Sequence, residues 1–189
     1  MSKRFQVLWW SLLGQRLLEL RRSRENAKGQ PGAAADPRGF PAMVLVHVAL
    51  FLAPPLEVAR TRAQPRCRLA WEGTVVASNL LRIWSIRSLG HQWNVRGVVA
   101  QDFEVVSRGP YRWIRHPNYL AVGLEVFALP MAAGAWRSAV VLSAANAVVL
   151  QRRIRAEERL LFTNPGYSAT FASKGRFIPS LRREPASPE

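Results

Sequence analysis

Two polar signatures bracket a long apolar hairpin, and that arrangement constrains the chain more than any other feature. The first is Arg108-Gly-Pro-Tyr-Arg-Trp-Ile-Arg-His-Pro-Asn-Tyr119; the second is Arg153-Ile-Arg-Ala-Glu-Glu-Arg159. Between them lie the apolar segments Asn118 to Ala133 and Ala135 to Leu150. If this stretch crosses a bilayer and returns, both signatures emerge on one face. Residues about forty positions apart then build one site at a membrane surface.

Charge and cysteine content narrow the alternatives. The chain carries 27 Lys and Arg against 12 Asp and Glu, a formal +15, which points to a polyanionic neighbour: anionic headgroups, nucleic acid or a phosphorylated ligand. One cysteine, Cys67, excludes an internal disulfide and a thiolate metal cluster. With His47, His91 and His116 as the only histidines, no metal site is expected. Lys3 and Arg4 before an apolar stretch from Phe5 to Leu13 resemble a signal peptide. No small-residue cleavage site follows before Arg21 and Arg22, so a removed leader is not expected.

Five apolar segments recur: Phe5 to Leu20, Pro41 to Ala59, Leu69 to Leu89, and the two of the hairpin. None is an unbroken apolar run of the roughly twenty residues that a hydrocarbon core of ~30 Å asks of a helix. Flanking Arg and Trp, including Trp9, Trp10, Trp71, Trp136 and Arg137, extend them to the headgroups. The expected architecture is an all-α membrane bundle of about five spans in one domain, 1–189. It places N-terminal spans in 1–88, the motif region in 89–179 and a disordered tail in 180–189. With five spans, the side holding both signatures carries more than twice the Lys and Arg of the other and is expected in the cytosol. If the first segment, with Gln15, Arg16 and Glu19, lies in the interface instead, only the N-terminus changes sides. Asn26 to Gly39 reads as a loop, and Gln92 to Val106 as a short hairpin or an extended loop.

Gly109-Pro110 marks a turn, and Pro117 suits the first turn of a helix, which puts His116 at the helix start. Free amides and the positive dipole end there favour an anionic ligand group; the competing reading is an interfacial aromatic belt with His116 as an ordinary cap. Arg153 and Glu157 stand four apart on one helical face, with Glu158 on the next. They form either a surface ion pair or, so close to an apolar segment, the wall of a site that takes something cationic. Glu125, Asn146, His47 and Glu57 lie within apolar segments; His47 and Asn146 are read as satisfying a neighbouring helix. No Gly-rich phosphate loop, nucleophile elbow or paired-carboxylate pattern is present.

Taken in order, Gly109 to Tyr119, Arg153 to Glu158, Gly166-Tyr167 and Arg176-Phe-Ile-Pro179 resemble the isoprenylcysteine carboxyl methyltransferase family of integral membrane enzymes. The resemblance covers about Leu89 to Pro179. It implies S-adenosylmethionine as cofactor, held on the cytosolic side by a loop and the C-terminal helix. By that resemblance Tyr111, His116, Pro117, Asn118, Tyr119, Glu157, Val105 and Val106 contact the cofactor and Arg153 lies nearer the acceptor. Arg96 and Glu158 are secondary candidates. No general base is assigned, because an acceptor that arrives ionised needs none. Where the family often has Gly two residues after the motif Tyr, this chain has Ala121. The local form is similar to bacterial members that methylate long-chain alkylpyrones or phenolic lipids. A lipophilic acidic acceptor arriving from the bilayer of a bacterial cytoplasmic membrane is therefore expected. The alternatives are phospholipid N-methylation and a basic membrane-surface or nucleic-acid-binding protein; no nucleic-acid partner is expected on the first reading.

Overall fold

The computed structural model describes residues 3–28, 32–100 and 102–180. Helices α1 (Lys3–Lys28), α2 (Phe40–Thr61), α3 (Arg68–Leu89), α4 (Pro117–Ala133) and α5 (Trp136–Leu161) form the body, and a short α6 (Pro165–Phe171) follows. The chain is mostly helical. Its two strands among the described residues, β1 (Gly32–Ala34) and β2 (Val98–Ala100), pair antiparallel with Gly32 opposite Ala100. This corrects two expectations: α1 runs on through Asn26 to Lys28, and β2 takes its partner from the α1–α2 connection rather than from a local hairpin. Of the tail expected to be disordered, residues 181–189 lie outside the described residues.

Local chemistry sets the ends of these helices. Pro41 lies in the first turn of α2, where a missing N–H costs nothing, and Asp36 accepts the Gly39 N–H at 2.9 Å just before it. α4 begins with Pro117 and stops at Gly134, whose φ of 93° suits glycine. A Cβ at Gly134 would also stand 3.0 Å from the Ala63 carbonyl oxygen, so the α4–α5 turn packs tightly on the α2–α3 connection. The Glu57 carboxylate, questioned from the sequence, caps α5 by accepting the amides of Arg137 at 3.1 Å and Ser138 at 2.7 Å.

These contacts sort the molecule into two ends. At one lie the α4–α5 turn and the α2–α3 connection. At the other lie β1 and β2, the start of α4 and the end of α5. There Asn26 donates to the Trp93 carbonyl at 2.6 Å and Ser23 accepts the Val95 N–H at 2.9 Å, tying the end of α1 to the connection after α3. α4 is the centre, packed on α3 and α5. Its Ala121, Ala128 and Ala132 are completely buried, and such small side chains let neighbouring helices approach closely.

Much of the outer surface of the helices is apolar. α2 buries Val46, Leu50 and Pro54, one stripe at four-residue spacing, while Leu45, Val48, Leu52 and Leu56 on other faces are exposed. Among the described helices it alone is long and apolar enough to cross a membrane by length and composition, with mean hydropathy 1.9. α4 has 17 residues, and α1, α3 and α5 contain charged side chains.

Candidate functional site

Both polar signatures meet at the strand end of the bundle. Leucine 150 closes the apolar part of α5, and the helix continues into Gln151–Leu161, which carries the second signature. Arg153 is the hub of the first cluster. Its Nε donates to the Tyr119 hydroxyl at 2.7 Å and to Glu157 Oε1 at 3.2 Å, and its Nη2 donates to the Val95 carbonyl at 2.6 Å. Tyr119 donates in turn to Glu157. The remaining Nη1 faces Met43 Sδ at 2.9 Å, a weak acceptor. Gly97 presses against the cluster: with φ 64° it already occupies the left-handed region, and a Cβ there would stand 2.5 Å from Glu157 Oε1.

Glu158, on the adjacent face, belongs to a second cluster behind the first. It accepts from His116 Nε2 at 3.1 Å and from Arg176, and Arg115 stands 3.5 Å away. Burial alone would raise its pKa, but the hydrogen bonds from His116 and Arg176 and the neighbouring positive charge outweigh that and lower it to about 2. The segment after α6 reinforces this clasp, because the amides of Arg115 and His116 donate to the carbonyls of Gly175 and Arg176, each at 3.0 Å. His116 therefore occupies the position before α4 without making a side-chain cap; its ring is committed to Glu158. Tyr111, buried on the 3-10 turn Gly109–Arg112, joins an aromatic floor in which Tyr167 stacks on Phe171 at 4.6 Å. Burial, and after it the Glu157 carboxylate, raise the Tyr111 phenol.

A cavity of about 600 Å³ opens above this floor. Its polar end is lined by Tyr111, His116, Asn118, Tyr119, Arg153 and Glu157, with Val106 beside them. From there it runs as an apolar trench between α1, with Trp9, Trp10, Leu13 and Leu17, and α2, with Val44, Val48, Phe51 and Leu52. Four of the residues expected at a site stand off this wall. Pro117 is buried in the first turn of α4, and Glu158 sits behind His116. Val105 lies against Gly166, and Arg96 stands over the Phe40 ring at 5.8 Å.

Between the two zones lies a group of charges that sequence reasoning missed. Glu19 accepts from Arg82 through contacts of 2.8 to 3.1 Å and from Arg16 at 2.7 Å, and Arg16 also reaches Glu125. Arg82 then donates to Asn118 Oδ1 at 3.3 Å, linking this tetrad to the first turn of α4. The available signal was charge balance: two Arg and two Glu inside apolar segments are affordable only when they neutralise one another. It also explains the polar face of α1, which turns inward. His47 departs from expectation as well, because its Nδ1 bonds Met43 of its own helix at 2.8 Å rather than another helix. Asn146 is buried with Oδ1 left without a partner among the described residues.

Comparison with known proteins fits this geometry to a family. The model of the isoprenylcysteine carboxyl methyltransferase (ICMT) family matches residues 71–163, which span nearly all of α3, the whole of α4 and α5, and both signatures. A relative in Bacillus subtilis (strain 168), the uncharacterized protein YpbQ, is 33% identical over 161 residues, covering 83% of this chain and 96% of the relative. The chain belongs to the isoprenylcysteine carboxyl methyltransferase family. That membership suggests a methyltransferase: the family's enzymes are membrane-associated and generally use S-adenosylmethionine. The chemistry of the wall suits such a cationic ligand. Glu157 retains an Oε2 without a partner among the described residues, and Tyr111, Tyr119 and His116 line the same end of the cavity. The family match does not include α1, His47 or the segment around Arg176.

Proposed function

We propose that the protein is an integral membrane O-methyltransferase that uses S-adenosylmethionine and acts on a lipophilic acidic acceptor reached through the bilayer. One observation carries this reading: a single cavity joins the polar wall from Tyr111 to Tyr119 and Arg153 to Glu157 with an apolar trench between α1 and α2. α1 to α5 cross the bilayer. The tetrad removes the main objection to spans that contain charges, because those charges neutralise one another inside the bundle. The strand end, richer in Lys and Arg, faces the cytosol of a bacterial cell.

On this reading Glu157 holds the polar groups of the cofactor, and Tyr111, Tyr119 and His116 offer ring faces to its positive charge. Asn118, its Oδ1 engaged by Arg82, turns its Nδ2 donor to the cavity. Pro117 orients the start of α4, Val106 closes the wall beneath, and Val105 backs it against Gly166. Arg96 and Glu158 support the wall from outside, Glu158 by fixing the His116 ring. When bound, S-adenosylmethionine supplies a methyl group already made electrophilic by a sulfonium. The protein's share is to align an acceptor oxygen and exclude water. Arg153 offers Nη1 to that oxygen, since Met43 Sδ holds it only weakly. The acceptor is an alkylpyrone, a phenolic lipid or an isoprenylcysteine-like carboxylate. Purified protein in detergent, given labelled S-adenosylmethionine and a panel of alkylpyrones, alkylresorcinols and prenylcysteine analogues, is expected to methylate at least one. Failure to transfer label to any lipophilic acceptor contradicts the proposal.

A further inference from the structure

His47 lies on α2, outside the segment matched by the family, and lines the cavity where its polar end meets the trench. Its Nδ1 stands 2.8 Å from the Met43 carbonyl oxygen. A carbonyl only accepts, so Nδ1 carries the proton, and Nε2 of the neutral ring keeps its lone pair. Nε2 has no hydrogen-bond partner among the described residues. Met43, one turn earlier (~5.4 Å along the axis of α2), touches Arg153 through its Sδ at 2.9 Å, so His47 follows on the same helix face that meets the Arg153–Tyr119–Glu157 cluster.

The charges around the cavity bear on what such a lone pair does. Arg16 of α1, Arg82 of α3 and Glu125 of α4 face His47, and Glu19 and Arg153 lie beyond them. Every arginine on the wall already has a carboxylate: Arg16 has Glu19 and Glu125, Arg82 has Glu19, Arg115 has Glu158 and Arg153 has Glu157. Glu158 is shared between Arg115 and Arg176, so the clasp behind His116 keeps one positive charge, but the two arginines facing His47 are balanced by Glu19 and Glu125, and an ionised carboxylate beside that ring meets no uncompensated cation. A hydroxyl acceptor meets an open lone pair.

We propose that His47 is the general base of the reaction and that the acceptor is a weakly acidic hydroxyl, a phenol or enol on a lipid tail, rather than a carboxylate. This rests on the methyltransferase reading and narrows it. An oxygen lone pair of the acceptor forms the new O–C bond to the methyl, the C–S bond of the sulfonium donor breaks with its pair left on sulfur, and the hydroxyl proton passes to His47 Nε2. The imidazolium then releases that proton to water. His47 is thus a catalytic residue, while Tyr119 and Glu157 bind.

Two measurements on the full-length protein in detergent test this, each with His47→Gln and His47→Ala. In the first, turnover of an alkylresorcinol falls about 100-fold or more in both variants, in line with general-base catalysis. Cofactor affinity by calorimetry stays at the wild-type value, and added imidazole restores the His47→Ala variant. In the second, without cofactor, a long-chain alkyl 4-nitrophenol is bound below its own pKa and its absorbance is read. The wild type shifts the bound probe toward the phenolate spectrum, and His47→Gln does not. Equal probe spectra in the two proteins, unchanged turnover in the variants, or a wild type that methylates carboxylates but no hydroxyl acceptor would each overturn the inference. A positive probe response with no transfer from S-adenosylmethionine counts against the cofactor reading alone and leaves His47 as the base.

Discussion

Replacing Glu19 by Leu removes the one carboxylate that touches both Arg16 and Arg82. Those guanidiniums are 11% and 6% exposed, and Glu125, at 2%, contacts only Arg16. The substitution therefore leaves Arg82 as a buried cation without a carboxylate. Stripping one partner from a buried ion pair costs about 3–5 kcal/mol. Loss of a hydrogen bond between membrane helices averages only ~0.6 kcal/mol, so the size of the effect separates charge from hydrogen bonding. The double variant Glu19→Leu with Arg82→Met is neutral again and keeps Arg16–Glu125, so it should regain at least about 2 kcal/mol over the sum of the single losses. Unfolding in mixed dodecylmaltoside and SDS micelles, followed by fluorescence of the seven Trp residues, reads all three variants. A single-variant loss below about 1 kcal/mol, or single losses that simply add, would refute the view that these charges stabilise one another.

Further outcomes follow from the site. Glu157→Gln and His116→Ala are each expected to abolish S-adenosylmethionine binding in calorimetric titration while the protein remains monodisperse in detergent; wild-type affinity in either removes that residue from the binding wall. Gly97→Ala forces a Cβ to 2.5 Å from Glu157 Oε1 and 2.8 Å from Arg153 Nη2, so cofactor affinity should drop at least tenfold, about 1.4 kcal/mol or more. Normal affinity would mean that the β2 approach does not shape the site. For pH, the folded pKa of Glu158 is depressed from 4.5 to about 2, so its stabilisation is fully present above about 4.5 and is lost as pH falls toward about 2. The difference in melting temperature between wild type and Glu158→Gln should shrink across that window, and a constant difference would contradict the clasp.

How much of this was readable in the chain depends on how local the cause was. The α4–α5 hairpin showed itself through two apolar runs around Gly134, and Pro117 correctly marked the start of α4. The meeting of Tyr119 with Arg153 and Glu157 followed from the same hairpin, since antiparallel helices joined by a tight turn bring their far ends together. The pairing of β1 with β2 was not legible: three-residue strands separated by more than sixty positions leave no periodic signal, and alternation around Trp93 and Val95 is equally a local hairpin. The inward face of α1 was missed for a different reason. Gln15, Arg16 and Glu19 lower its hydropathy as if it lay at an interface, whereas Arg82 and Glu125 from other helices neutralise them. Composition along one helix carries no record of charges supplied by another. The same holds for the Glu158 clasp, which depends on Arg176 arriving after α6.

Ultraviolet crosslinking of labelled S-adenosylmethionine to the purified protein, followed by peptide mapping, addresses the central claim most directly. The account predicts saturable label on peptides from both Tyr111–Tyr119 and Arg153–Glu158, competed by unlabelled cofactor and lost in Glu157→Gln. Label confined to one of these stretches, spread over the basic surface, or unaffected by competitor would show that the two signatures do not form one cofactor site.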